Sequence, residues 1–237
     1  MEDDPQDPLR GLEQERRDRR GLRVDFDAEL EACDAALLDV GRQVASAIAP
    51  MTEAFLTGDA ETAAQLIAAD RAVDVACERL EERGFTLIAR QSPVAGDLRR
   101  LVALLKCIQD VSRSGDLLRH VGESLRWIHP PSLPAKLRET VQQLGDVSHA
   151  LFSEGLEAWR AHDALAANEL ERDDDQVDLL QKVLLTDLYT GTQSVEESVS
   201  LALIARYYER IADHGVEIAR QATYVLTGER PPPFDVT

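Results

Sequence analysis

The sequence predicts an all-α protein built as two tandem three-helix bundles. Three observations carry that expectation. Apolar residues recur at helical spacing along most of the chain, and strand-favouring residues are scarce, with 5% aromatic against 44% hydrophobic overall. An acidic pattern in the first half also returns in the second. At 237 residues the chain can bury a sizeable core without disulfides.

The spacing predicts six helices. The first covers 26–57, where Leu30, Leu37, Val44 and Met51 repeat every seventh residue beside Cys33, Val40, Ala47 and Ala54. Gly58-Asp59 breaks it, and a second follows over 60–90 with Leu66, Val73, Leu80 and Leu87 inward. Ser92-Pro93 reads as a helix start, Ser as N-cap and Pro at the first helical position, so the third runs from there to about 127 with Leu104, Val111, Leu118 and Leu125 in register. The prolines of His129-Pro130-Pro131-Ser132-Leu133-Pro134 cannot sit inside a helix and divide the chain. The fourth and fifth helices are expected over 135–161 and 163–189. The sixth starts at Ser194, where Glu197 completes a capping box, and ends near Leu226 with Ile204, Ile211, Ile218 and Val225 inward. The expected organisation is thus a charged extension over 1–24, frayed or disordered, bundles over 25–128 and 133–227, and a Pro-rich tail over 228–237.

Charge excludes some functions. With 44 acidic and 26 basic residues the formal charge is −18, which repels nucleic-acid backbones and anionic lipid. Direct nucleic-acid binding is not expected, and membrane contact is expected only through partners. The start, MEDDPQDP, lacks a basic segment followed by an apolar one and is not expected to act as a signal sequence, and Cys33, Cys77 and Cys107 fall within apolar helical patterns as small core residues. A reduced, cytoplasmic protein is expected.

The repetition points to a site. Asp59, Asp70 and Asp74 return as Asp163, Asp174 and Asp178 at an offset of 104, and Arg113 and Asp116 return as Arg210 and Asp213 at an offset of 97. Residues four apart on a helix point to nearly the same side, so Asp70 with Asp74, Asp174 with Asp178, and Glu209 with Asp213 each present two carboxylates together. If the pairs on neighbouring helices face one another, a hard cation would relieve their repulsion. The same residues also read as a solvated acidic face with Arg113 or Arg210 as salt-bridge partners. The consecutive Asp173, Asp174 and Asp175 say only that the segment is exposed; the shared offset singles out Asp174. His214 reads as a capping or surface histidine rather than a ligand.

Two segments resemble a known family. ARQSPVAGDLRRLVALLK is similar to the ARQxPxAxDLRxxxxxxK signature of PhoU proteins, and YERIADHGVEIA to their LERIADHAxNIA segment. The resemblance spans residues 25–226 and implies two similar three-helix bundles, each with a metal site made from Glu or Asp followed four residues later by Asp. Carried over, the second site is complete as Asp174, Asp178, Glu209 and Asp213. The first has Asp70, Asp74 and Asp116, but where the family reads Leu-Glu-Arg-Ile-Gly-Asp this chain has Val111-Ser112-Arg113-Ser114-Gly115-Asp116. A hydroxyl carries no charge, so that site is expected to bind more weakly, to recruit Asp110, or to be empty. The ion would be divalent or trivalent, with magnesium, manganese and iron all compatible with carboxylate oxygens.

The resemblance further implies negative regulation of phosphate uptake and of the phosphate-starvation response. It would act through contacts with the ATPase of a phosphate ABC transporter and a sensor histidine kinase, as a homo-oligomer, expected to be a dimer. No catalytic residue is assigned and an enzyme is not expected. The competing readings are a metal-free helical scaffold and a carboxylate-metal hydrolase or oxidase. The corner formed by Arg90, Asp97, Arg99 and Arg100 reads equally as a partner surface or as charges that satisfy helix ends and one another.

Overall fold

The computed structural model describes the backbone of residues 8–229 and the side chains of residues 23–229. It contains α1 (Pro8–Thr57), α2 (Ala60–Gln91), α3 (Ala95–Glu123), α4 (Ala135–Ala161), α5 (Ala166–Thr190) and α6 (Val195–Thr227), with short 3-10 turns at Ser124–Arg126 and Pro130–Ser132. No strand occurs among the described residues. The opening residues of the charged extension and the Pro-rich tail beyond 229 lie outside the described residues.

The expected inward rows form the core. Leu30, Leu37, Val44 and Met51 of α1, Leu104 and Val111 of α3, and Ile204, Ile211 and Ile218 of α6 are each at most 2% exposed. Packing joins the two halves as well as building each one: α3 lies against α6 and α1 against α4, and one continuous apolar cluster runs through all six helices. Cys33, Cys77 and Cys107 are free thiols buried in it.

Three polar side chains at the centre of this core are paired. The Tyr208 hydroxyl of α6 meets Thr52 Oγ1 of α1 at 2.7 Å, Thr52 donates onward to the Ile48 carbonyl at 2.9 Å, and Ser148 of α4 donates to the Tyr208 carbonyl at 2.8 Å. Because Thr52 spends its hydrogen on Ile48, Tyr208 is the donor to Thr52. One residue from each half is thus tied to the other at the centre.

Helix ends follow the sequence at most places. Asp59 caps α2, accepting from the amides of Glu61 and Thr62, whereas its repeat partner Asp163 accepts from Leu165 and Ala166 ahead of α5, whose N-cap position is Leu165 and which begins at Ala166 rather than at 163. Ser194 and Glu197 form the expected capping box, and Gly228 closes α6 at φ 77°.

The α2–α3 connection departs from expectation. Ser92 is not the N-cap of α3; it ends α2 in the left-handed conformation, φ 44°, with its amide on the Ile88 carbonyl at 3.1 Å. Pro93 disfavours right-handed helix in the residue before it, which fixes that ending. Helix α3 then starts only at Ala95, behind an extended Val94. Ala95 itself has φ 50°, a region that favours glycine. Ala95→Gly is therefore expected to stabilise the chain by about 0.5–1 kcal/mol, read as a raised urea midpoint at unchanged slope. No rise would show that the loop is unstrained.

Candidate functional site

The two carboxylate sets occupy matched positions between α2 and α3 and between α5 and α6. Each α5 and α6 residue is delivered by helical register. Asp174 and Asp178 lie half-buried while Asp173 and Asp175 between them and beside them are exposed, so the repeat offset picked the residues that turn inward. Opposite them on α6, Glu209 is buried and Asp213 half-buried.

The four charges crowd one another. Burial raises the Asp174 carboxyl to about 7, assisted by Asp213 and Asp178. Burial likewise raises Glu209 to about 7, with Asp213 adding to the effect and Arg206 opposing it. Asp213 is also pushed up by burial, against the pull of Arg206. The arginine that pairs Glu209 is thus Arg206, one turn earlier on α6. Among the described residues, neither Arg113 nor Arg210, the partners expected from the sequence, makes an ion pair.

Among the described residues no three His, Cys, Asp or Glu side chains are gathered closely enough to hold an ion as they stand. Two buried oxygens of the second set nevertheless lack any hydrogen-bond partner, Asp174 Oδ1 and Glu209 Oε2. Unsatisfied anionic oxygens beside other carboxylates suit a hard cation, so this donor set fits one, provided Glu209 exchanges Arg206 for the ion.

The first set differs. Asp70 is raised to about 6, first by burial and then by Asp74 and Asp116. Asp74 is raised by burial and by Asp116, while the Ser112 hydroxyl favours its charged form. A guanidinium stands among them: Arg119 lies 2.7 Å from Asp116, 3.0 Å from Glu123 and 3.6 Å from Asp70. None of Asp70, Asp74 and Asp116 has a buried oxygen left unpaired. Here Arg119 already supplies a positive charge to Asp116 and Asp70. Asp110 does not join this set: burial and the nearby Glu217 of α6 raise its carboxyl to about 7, which places it at the α3–α6 seam.

His214 is a correction. It is neither a cap nor a surface residue but 7% exposed at that seam, with Nδ1 2.9 Å from Ser114 Oγ. Ser114 donates to the Asp110 carbonyl at 2.8 Å, so Nδ1 carries the hydrogen and donates to the hydroxyl. Burial, reinforced by Arg210 and Arg113, lowers its pKa to about 4 and keeps it neutral.

At the corner after α2, charges are met within the chain. Arg100 Nε holds Asp34 at 2.9 Å, Arg23 Nη2 holds Asp97 at 3.2 Å, and Arg99 lies 6.0 Å from the Tyr224 ring centre. Arg90 is exposed. Arg119 and Arg206 were missed from sequence, although a signal existed. At the offset of 97, Arg119 falls opposite Val216 and Arg206 opposite Gln109, so each half carries one arginine the other lacks.

Comparison with known proteins bears on the fold and the family. A family model described as the PhoU domain matches twice, over residues 37–125 and 141–222, once on each half. The phosphate-specific transport system accessory protein PhoU homolog 2 of Mycobacterium tuberculosis is 35% identical over 183 residues, covering 76% of this chain and 86% of that one. PhoU homolog 1 of Mycobacterium leprae is 30% identical over 213 residues, covering 89% and 96%. The crystal structure of PhoU from Pseudomonas aeruginosa superposes with a TM-score of 0.80 at 25% identity, covering 86% of this chain and all of that one. With the domain found on each half and the six-helix architecture shared, the chain belongs to the PhoU family.

Proposed function

We propose that this chain is an accessory regulator of a phosphate-specific transport system. It represses phosphate uptake and the phosphate-starvation response when phosphate suffices, through contacts with the ATPase of a phosphate ABC transporter and with a sensor histidine kinase. The observation that carries this reading is the double domain match together with relatives named for that system. The proposed setting is the cytoplasm and the proposed state a homodimer; no helix among the described residues is long and apolar enough to cross a membrane. The role is regulatory rather than catalytic. Disrupting the gene should raise phosphate uptake in phosphate-replete cells, and restoring the chain should lower it again; uptake indifferent to the chain would refute the proposal.

The second carboxylate set would hold a metal ion, through Asp174, Asp178, Glu209 and Asp213. A bound cation would neutralise four converging charges and cross-link α5 to α6. Calorimetric titration of chelator-stripped protein with manganese should show saturable binding that Asp213→Ala removes and Asp116→Ala leaves in place. Wild-type protein that takes up neither manganese nor magnesium would refute this part.

A further inference from the structure

The two halves repeat in sequence and fold, yet they solve the same electrostatic problem differently. Aligned at the offset of 97, Glu209 is matched by Ser112 and Val216 by Arg119. Val216 is fully buried in α6. In α3 that same register position carries a long cation, and its guanidinium turns to Asp116, Glu123 and Asp70 at 2.7, 3.0 and 3.6 Å. At these two positions the first half has lost one carboxylate and gained one fixed positive charge, while Gln109 stands where the second half has Arg206 on Glu209. Backbone geometry permits the approach: a Cβ on Gly115 would stand 2.5 Å from Asp70 Oδ1, so the glycine lets the α2 carboxylate close onto α3 beside Arg119. The second half keeps Ala212 at the matching place and leaves Asp174 Oδ1 and Glu209 Oε2 unsatisfied.

We propose that Arg119 is the built-in counter-ion of the first half, replacing a metal ion there, so that the chain binds one metal site's worth of cation and depends on it only in the α5–α6 half. The single-site count rests on the metal reading of the second set given above; the role of Arg119 does not. A tethered guanidinium cannot dissociate, so the α1–α3 half keeps its counter-ion at any metal concentration. Only α5 and α6 would loosen and tighten as the ion leaves and returns, which confines any metal response to one end of the molecule.

The test has two readouts. In chelator, Arg119→Val leaves Asp70, Asp74 and Asp116 without this partner, and the melting temperature should fall by roughly 2–6 °C. Arg119→Lys keeps the charge and should recover part of that loss. Because Arg119→Val removes the occupant and Ser112→Glu restores the missing carboxylate, the double variant should gain a manganese site measurable in an Asp174→Ala/Asp213→Ala background. Without those changes, the Asp174→Ala/Asp213→Ala protein should bind no manganese, a measurement that stands even if the valine variant fails to fold. Manganese binding in that protein that disappears with Asp116→Ala would overturn the proposal, as would an Arg119→Val melting temperature equal to wild type. If wild type binds no manganese while Arg119→Val still loses stability and the lysine restores it, the metal reading of the second set falls and the role of Arg119 stands.

Discussion

Gly215→Ala should be among the most damaging single substitutions in the chain, costing about 2–4 kcal/mol from one added methyl. A Cβ at Gly215 would meet the Leu151 carbonyl oxygen at 2.5 Å and Phe152 Cα at 2.6 Å. Both belong to the α4 backbone, so neither can move as a side chain can, and α4 and α6 must separate. The partner position repeats the constraint, since a Cβ at Gly155 would lie 2.1 Å from the Gly215 carbonyl oxygen. These two glycines bring α4 and α6 together along the most extensive helix–helix contact among the described residues. The expected melting shift is roughly −5 to −12 °C for a chain of this size. Gly96→Ala is the control: nothing lies within 4 Å of its Cβ position, so alanine should stabilise α3 slightly. Equal melting temperatures for the two variants would show that the helices do not cross so closely.

That crossing illustrates what the sequence hid. Apolar periodicity made the helices and their inward rows readable, because burial of a stripe is a local pattern with a fixed period. The repeat offset then separated Asp174 from its neighbours Asp173 and Asp175, which periodicity alone could not do. Gly155 and Gly215 were not legible, since the demand for a missing side chain arises only when two distant helices meet. His214 was misread for the same reason: its environment is Ser114, a hundred residues away on α3. Ser92 was misread because Ser-Pro serves both to begin a helix and, through the restraint on the residue before proline, to end one. The arginines that partner the carboxylates were hidden by attention to what the halves share. Arg119 and Arg206 are where they differ.

The second large effect is on pH dependence. Chelator-stripped protein is expected to become more stable as pH falls from 8 to about 6.5, the reverse of ordinary acid denaturation. Asp174, Glu209 and Asp110 are raised to about 7 and Asp70 to about 6, in each case by burial first and by neighbouring carboxylates second. Raised carboxyl groups bind more protons folded than unfolded. Their stabilisation is complete below the unfolded values near 4 and is lost as pH rises through 6 to 7. His214 works the other way. Its folded value near 4, against 6.5 unfolded, supplies stability above 6.5 that is lost as pH falls towards 4, so the gain should become less steep in that range. Between pH 8 and 6.5 the carboxylates dominate and, after allowance for their shared protons, should contribute on the order of 1–2 kcal/mol. Manganese should substitute for those protons at Asp174 and Glu209, raising the melting temperature more at pH 8 than at pH 6, because at the lower pH metal and protons compete for the same oxygens. The measurement is a melting curve across pH with and without the metal, in wild type and in Asp174→Asn/Glu209→Gln. The amide variant removes both groups without changing their shape and should make the metal-free profile between pH 8 and 6.5 shallower, leaving the slope that Asp110 supplies. A wild-type melting temperature that falls steadily over that range would show these carboxyl groups to be charged and compensated in the folded chain, and would remove the electrostatic reason for a cation between α5 and α6.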